Sequence, residues 1–305
     1  MVKALIISDF RHAHAARPEA EIFLALHVQG VYLEIMTPAE SAYARRFQQA
    51  GIPVHDFRPA RKYARRDMLQ IRERLVRDQF QVLHVLNRKA MTSAIVAARR
   101  LPVAVILYRG ASRGIRWYDP SAYLKYLHPR VDAIVCNTPG AAATFRRQPF
   151  FDAAKIAIIP KGHDPAWYAA VAPVDRGTLG IPEGTCIVAC VANVRRVKGV
   201  PVLLEAMKRL PATDAVHFLL IGEGMHEVVE TADLTDAQKS RIHATGFISD
   251  PLPLMAVSDL LVLPSLSSEA LTKSVIEAMS LGIAPVITDL PGNAGLVTHG
   301  ETGLK

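Results

Sequence analysis

Short apolar, β-branched runs alternate along the chain with longer segments whose apolar positions recur at helical spacing. Residues 2–8 read as a buried strand and 18–29 as a helix opening on Pro18. Residues 32–37 read as a strand, 41–50 as a helix, and 52–57 as a strand after the Ala50-Gly51 turn. The rhythm continues with a helix over 63–78, a strand over 82–86, a helix over 89–99, and strands over 103–108 and 133–136. This is the pattern of a parallel α/β sheet. Pro160, Gly162, Pro165, Pro173, Gly177, Gly180, Pro182 and Gly184 then punctuate the chain as a domain boundary would. A second α/β series follows, with strands over 185–192, 217–221, 242–245, 260–263 and 285–288 and helices over 199–210 and 273–281. The expected fold is therefore α/β, with two Rossmann-like domains over 1–165 and 180–305 and a linker over 166–179. Two such sheets would leave a cleft at the carboxyl ends of their strands, where ligands of parallel sheets bind.

Composition agrees with two cores: 305 residues, half of them hydrophobic and 21% charged, exclude wholesale disorder. Three cysteines, at 136, 186 and 190, cannot build a disulfide framework and suit a reducing compartment. Residues 1–11 lack the pattern of a secretory leader, and no apolar run reaches 18 residues. The expected location is cytoplasmic or peripheral at the inner face of the cell membrane.

The net charge of +8 is uneven, because residues 1–170 hold 26 Lys and Arg against 13 Asp and Glu, whereas 171–305 hold 10 against 15. The densest basic stretch comprises Arg58, Arg61, Lys62, Arg65, Arg66, Arg72, Arg74 and Arg77, offset only by Asp67 and Glu73. It reads as a solvated helix face, an anionic membrane or lipid-headgroup contact, or a nucleic-acid contact. With Tyr63 as the sole aromatic inside it and no zinc-finger or helix-turn-helix signature beside it, no nucleic-acid partner is expected.

Three segments could carry chemistry. Arg195 and Lys198 follow a strand and precede Gly199 at a helix start, where two cations and helix amides could meet a diphosphate, although a surface charge pair is the competing reading. Gly222-Glu223-Gly224 also follows a strand; its glycines permit close backbone approach to a ligand, or simply make a tight turn. In the third, the strand ending at Pro264 leads through Glu269 to a helix carrying Glu277. Residues 270–273 would offer helix-start amides to a phosphate, and the two carboxylates could accept hydrogen bonds from sugar hydroxyls. The bland alternative makes Glu269 a helix-terminus charge and Glu277 a solvent-facing residue. No P-loop, dinucleotide fingerprint or Ser-centred nucleophile elbow occurs in the sequence.

Taken in order, Arg195…Lys198-Gly199, Gly222-Glu223-Gly224, Leu263-Pro264-Ser265, Glu269-x7-Glu277-Ala278-Met279, Gly282-x-x-Pro285-Val286-Ile287 and Pro291-Gly292-Asn293 resemble the donor-binding half of family 4 of the glycosyltransferases, retaining enzymes of the GT-B fold. The likeness is specific over residues 160–305 and rests on general pattern before that. It implies that Arg195 and Lys198 hold the donor diphosphate, Glu277 takes the ribose hydroxyls, and Glu269 lies beside the transferred sugar. It further implies that Gly222 and Glu223 line the donor site, that the amides of Ala270, Leu271 and Thr272 contact sugar and phosphates, and that no metal or other cofactor is required. Glu269, Lys198 and Arg195 are thus the expected catalytic group.

The N-terminal half departs from the family. His12, Ala13, His14, Ala15, Ala16 and Arg17 stand where a Gly-Gly loop is common, and Arg109-Gly110 where a histidine is common. His12, His14, Arg17 and Arg109 become candidate acceptor contacts, while His163 and Asp164 resemble an interdomain turn. The expected function is sugar transfer from a nucleotide sugar to a cell-surface glycan or glycolipid such as a lipopolysaccharide core. A GT-B epimerase or phosphorylase and a non-catalytic sugar-nucleotide or nucleic-acid binding protein are the rivals. The resemblance breaks off at Gly300-Glu301-Thr302-Gly303-Leu304, where the family's next segment would begin, so the chain is expected to be truncated at its C-terminal end.

Overall fold

A computed structural model describes residues 2–11, 13–59, 61–110, 114–211, 215–267, 271–293 and 295–305. The chain divides into two compact units, Met1–Gly162 and His163–Lys305. The first holds strands β1 (Lys3–Ile7), β2 (Tyr32–Thr37), β3 (Val54–Asp56), β4 (Val82–Val85), β5 (Ala104–Arg109), β6 (Ala133–Cys136) and β7 (Ile156–Ile158). Every pairing is parallel, in the order β3-β2-β1-β4-β5-β6-β7. The helices between them are α1 (Ala13–Val28), α2 (Ala44–Gln49), α3 (Arg65–Arg77), α4 (Met91–Ala97) and α5 (Pro139–Arg146).

Both faces of this sheet are apolar. Leu5, Ile7, Leu83, Val85, Val105 and Leu107 pack with α3, α4 and α5, whereas Ala4, Ile6, Leu33 and Ile35 pack with Phe10, Phe23 and Phe47. Central strands covered on both sides account for the near-continuous apolar runs in the sequence. One boundary moves. The helix read from Pro18 begins at Ala13, so Pro18 lies inside α1 and His14 and Arg17 sit on a helix rather than in a loop. Pro18 is the sixth residue of α1, past the first turn where proline fits without cost, so it forfeits one backbone hydrogen bond, while alanines before it are strong helix formers that extend the helix back. The pattern also missed α5, where Thr138 caps the helix by accepting from the Ala141 amide at 3.0 Å and Pro139 occupies the first turn.

The second unit holds β8 (Cys186–Val191), β9 (Val216–Ile221), β10 (Ile242–Ala244), β11 (Leu260–Leu263) and β12 (Ala284–Ile287), again all parallel, in the order β10-β9-β8-β11-β12. Its helices are α6 (Val200–Met207), α7 (Met225–Thr231), α8 (Asp236–Lys239), α9 (Leu252–Ala256) and α10 (Lys273–Ser280). Residues 166–179, read as a linker, contribute Trp167, Val171, Val174 and Leu179 to this unit's core, beside buried Tyr168. Apolar side chains at that spacing are drawn onto the sheet face despite the surrounding prolines. His163 and Asp164 serve the same segment: the His163 imidazole bonds the Tyr168 hydroxyl, and Asp164 accepts from the Ala166 amide at 2.9 Å.

Candidate active site

The second unit brings three of the expected segments together at the carboxyl ends of β8, β9 and β11. Backbone hydrogen bonds join them: Val194 N to Glu223 O at 2.8 Å, Ala192 N to Ile221 O at 3.0 Å, and Leu266 N to Val197 O at 2.8 Å. The Asn193 side chain adds a bond from the Glu223 amide at 3.3 Å. Two glycines make this approach sterically permissible. Gly199 has φ +67°, and a Cβ there would lie 1.9 Å from the Pro264 carbonyl oxygen; at Gly222, with φ +146°, it would lie 2.0 Å from that of Ala192. Gly222 of the Gly-x-Gly therefore has a steric cause, a backbone crossing at Ala192, whereas a Cβ at Gly224, with φ +83°, would lie 3.0 Å from the Val194 Cβ.

Arg195 is exposed on this rim and Lys198 is half-buried at the end of a single 3-10 turn, Arg196–Lys198. The thiol of Cys190, in β8, is pushed up to about 12 by burial, with the Lys198 charge acting in the opposite direction. Glu223 is exposed beside buried Gly222.

Helix α10 supplies the third part. Glu277 is 2% exposed, which overturns the solvent-facing alternative. Its carboxylate meets the Lys273 ammonium at 2.8 Å, one helical turn earlier. Thr272, buried at the N-cap, makes no capping bond; its hydroxyl donates instead to Asn293 Oδ1 at 2.6 Å. Asn293 is fully buried, and its Nδ2 has no hydrogen-bond partner among the described residues. The Pro291-Gly292-Asn293 segment thus braces the start of α10, a role its sequence position did not reveal. Leu271 is half-buried in the preceding bend. Glu269 and Ala270 lie outside the described residues, so their expected roles have no geometry here.

In the first unit, Arg109 is 5% exposed at the end of β5, its guanidinium 5.1 Å from the Tyr126 ring centre. The Tyr126 hydroxyl donates to the Tyr108 carbonyl at 3.3 Å. Next to it, the Tyr108 hydroxyl and Asn137 Oδ1 are buried with no hydrogen-bond partner among the described residues. Lys161 bonds Glu19 at 2.6 Å and lies over the Tyr108 ring at 5.3 Å. His14 and Arg17 are half-buried on α1, and His12 lies outside the described residues. The unit therefore gathers polar side chains at strand carboxyl ends, with Tyr108 and Asn137 added to those expected. Among the described residues, no three His, Cys, Asp or Glu side chains are grouped as metal ligands, and no helix is long and apolar enough to cross a membrane.

Comparison with known proteins gives this arrangement a family. Residues 185–305 match the model of the glycosyl transferases group 1, and residues 20–167 match that of glycosyltransferase family 4. A lipopolysaccharide core biosynthesis glycosyltransferase, LpsE of Rhizobium meliloti, is 29% identical over 225 residues, which are 73% of this chain and 63% of that protein. The chain thus spans a little under two thirds of that relative. Among solved structures, a glycosyltransferase from Rickettsia africae superposes with TM-score 0.80 at 16% identity, over 99% of this chain and 83% of that one. Anabaena Alr3699/HepE in complex with UDP-glucose superposes with TM-score 0.74 at 18% identity, over 100% of this chain and 85% of that one. At such identities the superpositions establish the fold, two parallel-sheet α/β units of the GT-B class, and with the two sequence models they lead to one assignment. The chain belongs to the family 4 glycosyltransferases, the glycosyl transferases group 1.

Proposed function

We propose that the chain is a retaining glycosyltransferase, moving a sugar from a nucleotide-diphosphate sugar to a cell-surface glycan or lipid-linked acceptor such as a lipopolysaccharide core. The observation that carries this reading is Glu277: a carboxylate 2% exposed, on the helix that opens beside three loops stitched together at strand ends. Lys273 holds this carboxylate at 2.8 Å, and a carboxylate with four lone-pair sites keeps capacity to accept from the ribose hydroxyls of a nucleotide. The solved complex of HepE with UDP-glucose and the name of the Rhizobium relative support the donor and acceptor classes respectively.

In this reading the donor occupies the second unit. Arg195 and Lys198 offset the charge that grows on the diphosphate as the sugar–oxygen bond breaks. Amides of Leu271 and Thr272, with Ala270, meet sugar and phosphate, and Gly222 and Glu223 line the site. Glu269 stands beside the sugar. The acceptor oxygen bonds the anomeric carbon on the face the diphosphate leaves, and the acceptor's proton passes to a departing phosphate oxygen. The chain's own groups hold and polarise the reactants; no metal or other cofactor is invoked. The acceptor is assigned to the first unit, near His14, Arg17 and Arg109 with His12, and an anionic membrane surface to the basic segment around α3. The protein would then work in the cytoplasm, at the inner face of the cell membrane.

A panel of radiolabelled UDP-, GDP- and ADP-sugars tests this directly. Sugar should be transferred or hydrolysed from one donor class, and Lys198→Ala should lower turnover by roughly two to three orders of magnitude, the usual cost of deleting a charge-stabilising donor. Glu269→Ala should abolish transfer. Donor binding without turnover, in the presence of glycan acceptors, would remove the enzyme reading in favour of a binding protein.

A further inference from the structure

Two polar side chains at the carboxyl end of the first sheet are buried with nothing to bond. The Tyr108 hydroxyl and Asn137 Oδ1 are shielded from solvent and make no hydrogen bond among the described residues, and Asn137 as a whole is 4% exposed. Folded proteins leave few such groups unpaired, and each one calls for a reason. The two are also neighbours. Strand β5 runs beside β6 with Tyr108 opposite Val135, and the Asn137 amide continues that ladder by donating to the Arg109 carbonyl at 3.3 Å. A Cβ on Gly110 would lie 3.3 Å from the Tyr108 hydroxyl and 3.5 Å from Asn137 Nδ2, and beyond its chain neighbours nothing comes closer. Both side chains therefore border one methyl-sized gap that the glycine leaves open. Gly110 is not in the left-handed region, so its backbone does not demand glycine; what glycine contributes is the gap.

The chemistry around the gap favours a neutral ligand. Successive strand residues face opposite sides of a sheet, and the Arg109 guanidinium lies on the side of Tyr126, 5.1 Å from its ring centre. The Tyr108 ring instead meets Lys161 at 5.3 Å, and Lys161 pairs with Glu19 of α1 at 2.6 Å, so these two charges neutralise each other. Burial first, and then the Glu19 charge, push the Tyr108 pKa up, so the phenol keeps its proton and can donate. Asn137 Oδ1 can only accept. A hydroxyl serves both at once, accepting from the phenol and donating to the amide oxygen, whereas a carboxylate or a phosphate dianion has no proton for Oδ1. The carboxyl ends of a parallel sheet are where such a ligand enters.

We propose that Tyr108 and Asn137, across the gap at Gly110, bind one hydroxyl of a neutral sugar in the molecule that the first unit takes. As an acceptor subsite it rests on the glycosyltransferase reading; as a sugar-hydroxyl site it does not. The pair is a specificity determinant, because a sugar lacking that hydroxyl leaves two buried groups unpaired at once, and a site built to bond a hydroxyl rejects the analogue without it. Its place in the first unit separates it from the donor contacts at Arg195, Lys198 and Glu277.

Saturation-transfer NMR with methyl glucoside, galactoside and mannoside and their monodeoxy analogues, on the full chain with UDP present to fill the donor site, tests the proposal. At least one glycoside should bind, and one of its deoxy analogues should bind roughly tenfold more weakly. Tyr108→Phe removes only an oxygen, and Gly110→Ala fills the gap with a methyl group at a backbone conformation open to alanine. Each should weaken the parent glycoside by roughly the same factor while leaving UDP affinity intact, and in Tyr108→Phe the parent and deoxy sugars should bind almost alike. Asn137→Leu should follow Tyr108→Phe; if it fails to fold, the other two variants decide. Absence of glycoside binding, or wild-type affinity in both Tyr108→Phe and Gly110→Ala, would overturn the subsite. A lowered melting temperature with glycoside affinity intact would also overturn it, since that marks an ordered water or a packing gap. Glycoside binding that depends on Tyr108, in a chain that transfers sugar from no nucleotide donor, would leave the subsite standing while removing the glycosyltransferase reading. Transfer whose acceptor KM ignores Gly110→Ala and Tyr108→Phe would do the reverse.

Discussion

At the scale of single residues, the loops that meet at Gly199 and Gly222 are sensitive where backbone meets backbone. Gly199→Ala would place a methyl group 1.9 Å from the Pro264 oxygen at a positive φ, so the loops must part. We expect a loss of about 1–3 kcal/mol and weaker UDP binding, readable by thermal denaturation with and without nucleotide. Gly300→Ala, in open space at a similar φ, serves as the control for strain alone and should leave UDP affinity intact. Glu277→Gln should lower UDP affinity more than Lys273→Met does, because the glutamate is assigned to the ligand and the lysine only to the glutamate; equal losses would recast the pair as structural. The His84 imidazole, facing the Phe23 ring at 5.9 Å, is pushed down to about 4 by burial. Its unfolded counterpart protonates near 6.5, so the unfolded state binds the extra proton first as pH falls. Stability is full above about pH 6.5 and declines toward pH 4, by at most about 3 kcal/mol. Urea titrations of His84→Leu across that window should show a flatter profile. The places of Arg195 and Lys198 past a strand end and of Glu277 on a helix were legible because that spacing is tied to strand ends and a helix turn. The meeting of Tyr108 with Asn137 was not, since it depends on a strand pairing that no local pattern describes.

At the scale of elements, the alternation of strands and helices was legible because covered parallel strands leave uninterrupted apolar runs. What escaped was what tertiary packing decides. Helix α1 runs back through Pro18 to Ala13, and β7 is three residues long with two of them exposed, too short to show a period. The edge strand β10 was anticipated, but not its partner contact: His217 Nδ1 and His243 Nε2 lie 2.8 Å apart on neighbouring strands, their rings stacked. One imidazole must donate and the other accept. Burial depresses both pKa values, with Arg241 acting further on His217 and His217 on His243. Acid therefore charges the unfolded strand before the folded one, and a doubly protonated pair has no acceptor. Amide exchange in β10 should accelerate relative to β8 as pH is lowered through 6, after correction for intrinsic rates, and His217→Gln should blunt the effect. Uniform acceleration of both strands would show that the pair does not govern the edge.

At the scale of the whole molecule, the uneven charge seen in the sequence acquires structure. Within the basic stretch, Arg58 pairs with Glu40 and Asp56, Arg72 donates to the carbonyls of Ala97 and Arg99, and Arg74 and Arg77 face Asp78. Arg61, Lys62, Arg65 and Arg66 are exposed and have no ion pair among the described residues. If these four face an anionic membrane, vesicle binding should fall steeply as salt rises, since each such cation is worth about 1 kcal/mol near the surface and screening shortens its reach to about 10 Å at 0.1 M. Reversing Arg65 and Arg66 to Glu should abolish the salt dependence, and binding that ignores both salt and reversal would exclude an electrostatic contact. The thiols allow a different measurement. Cys136 in β6 and Cys190 in β8 are both wholly buried and free, with burial pushing them up to about 11 and about 12, so neither can react until its own sheet opens. Alkylation followed peptide by peptide would therefore time the opening of each unit separately within one chain, and nucleotide added to the sample should slow the clock at Cys190 while leaving that at Cys136 running.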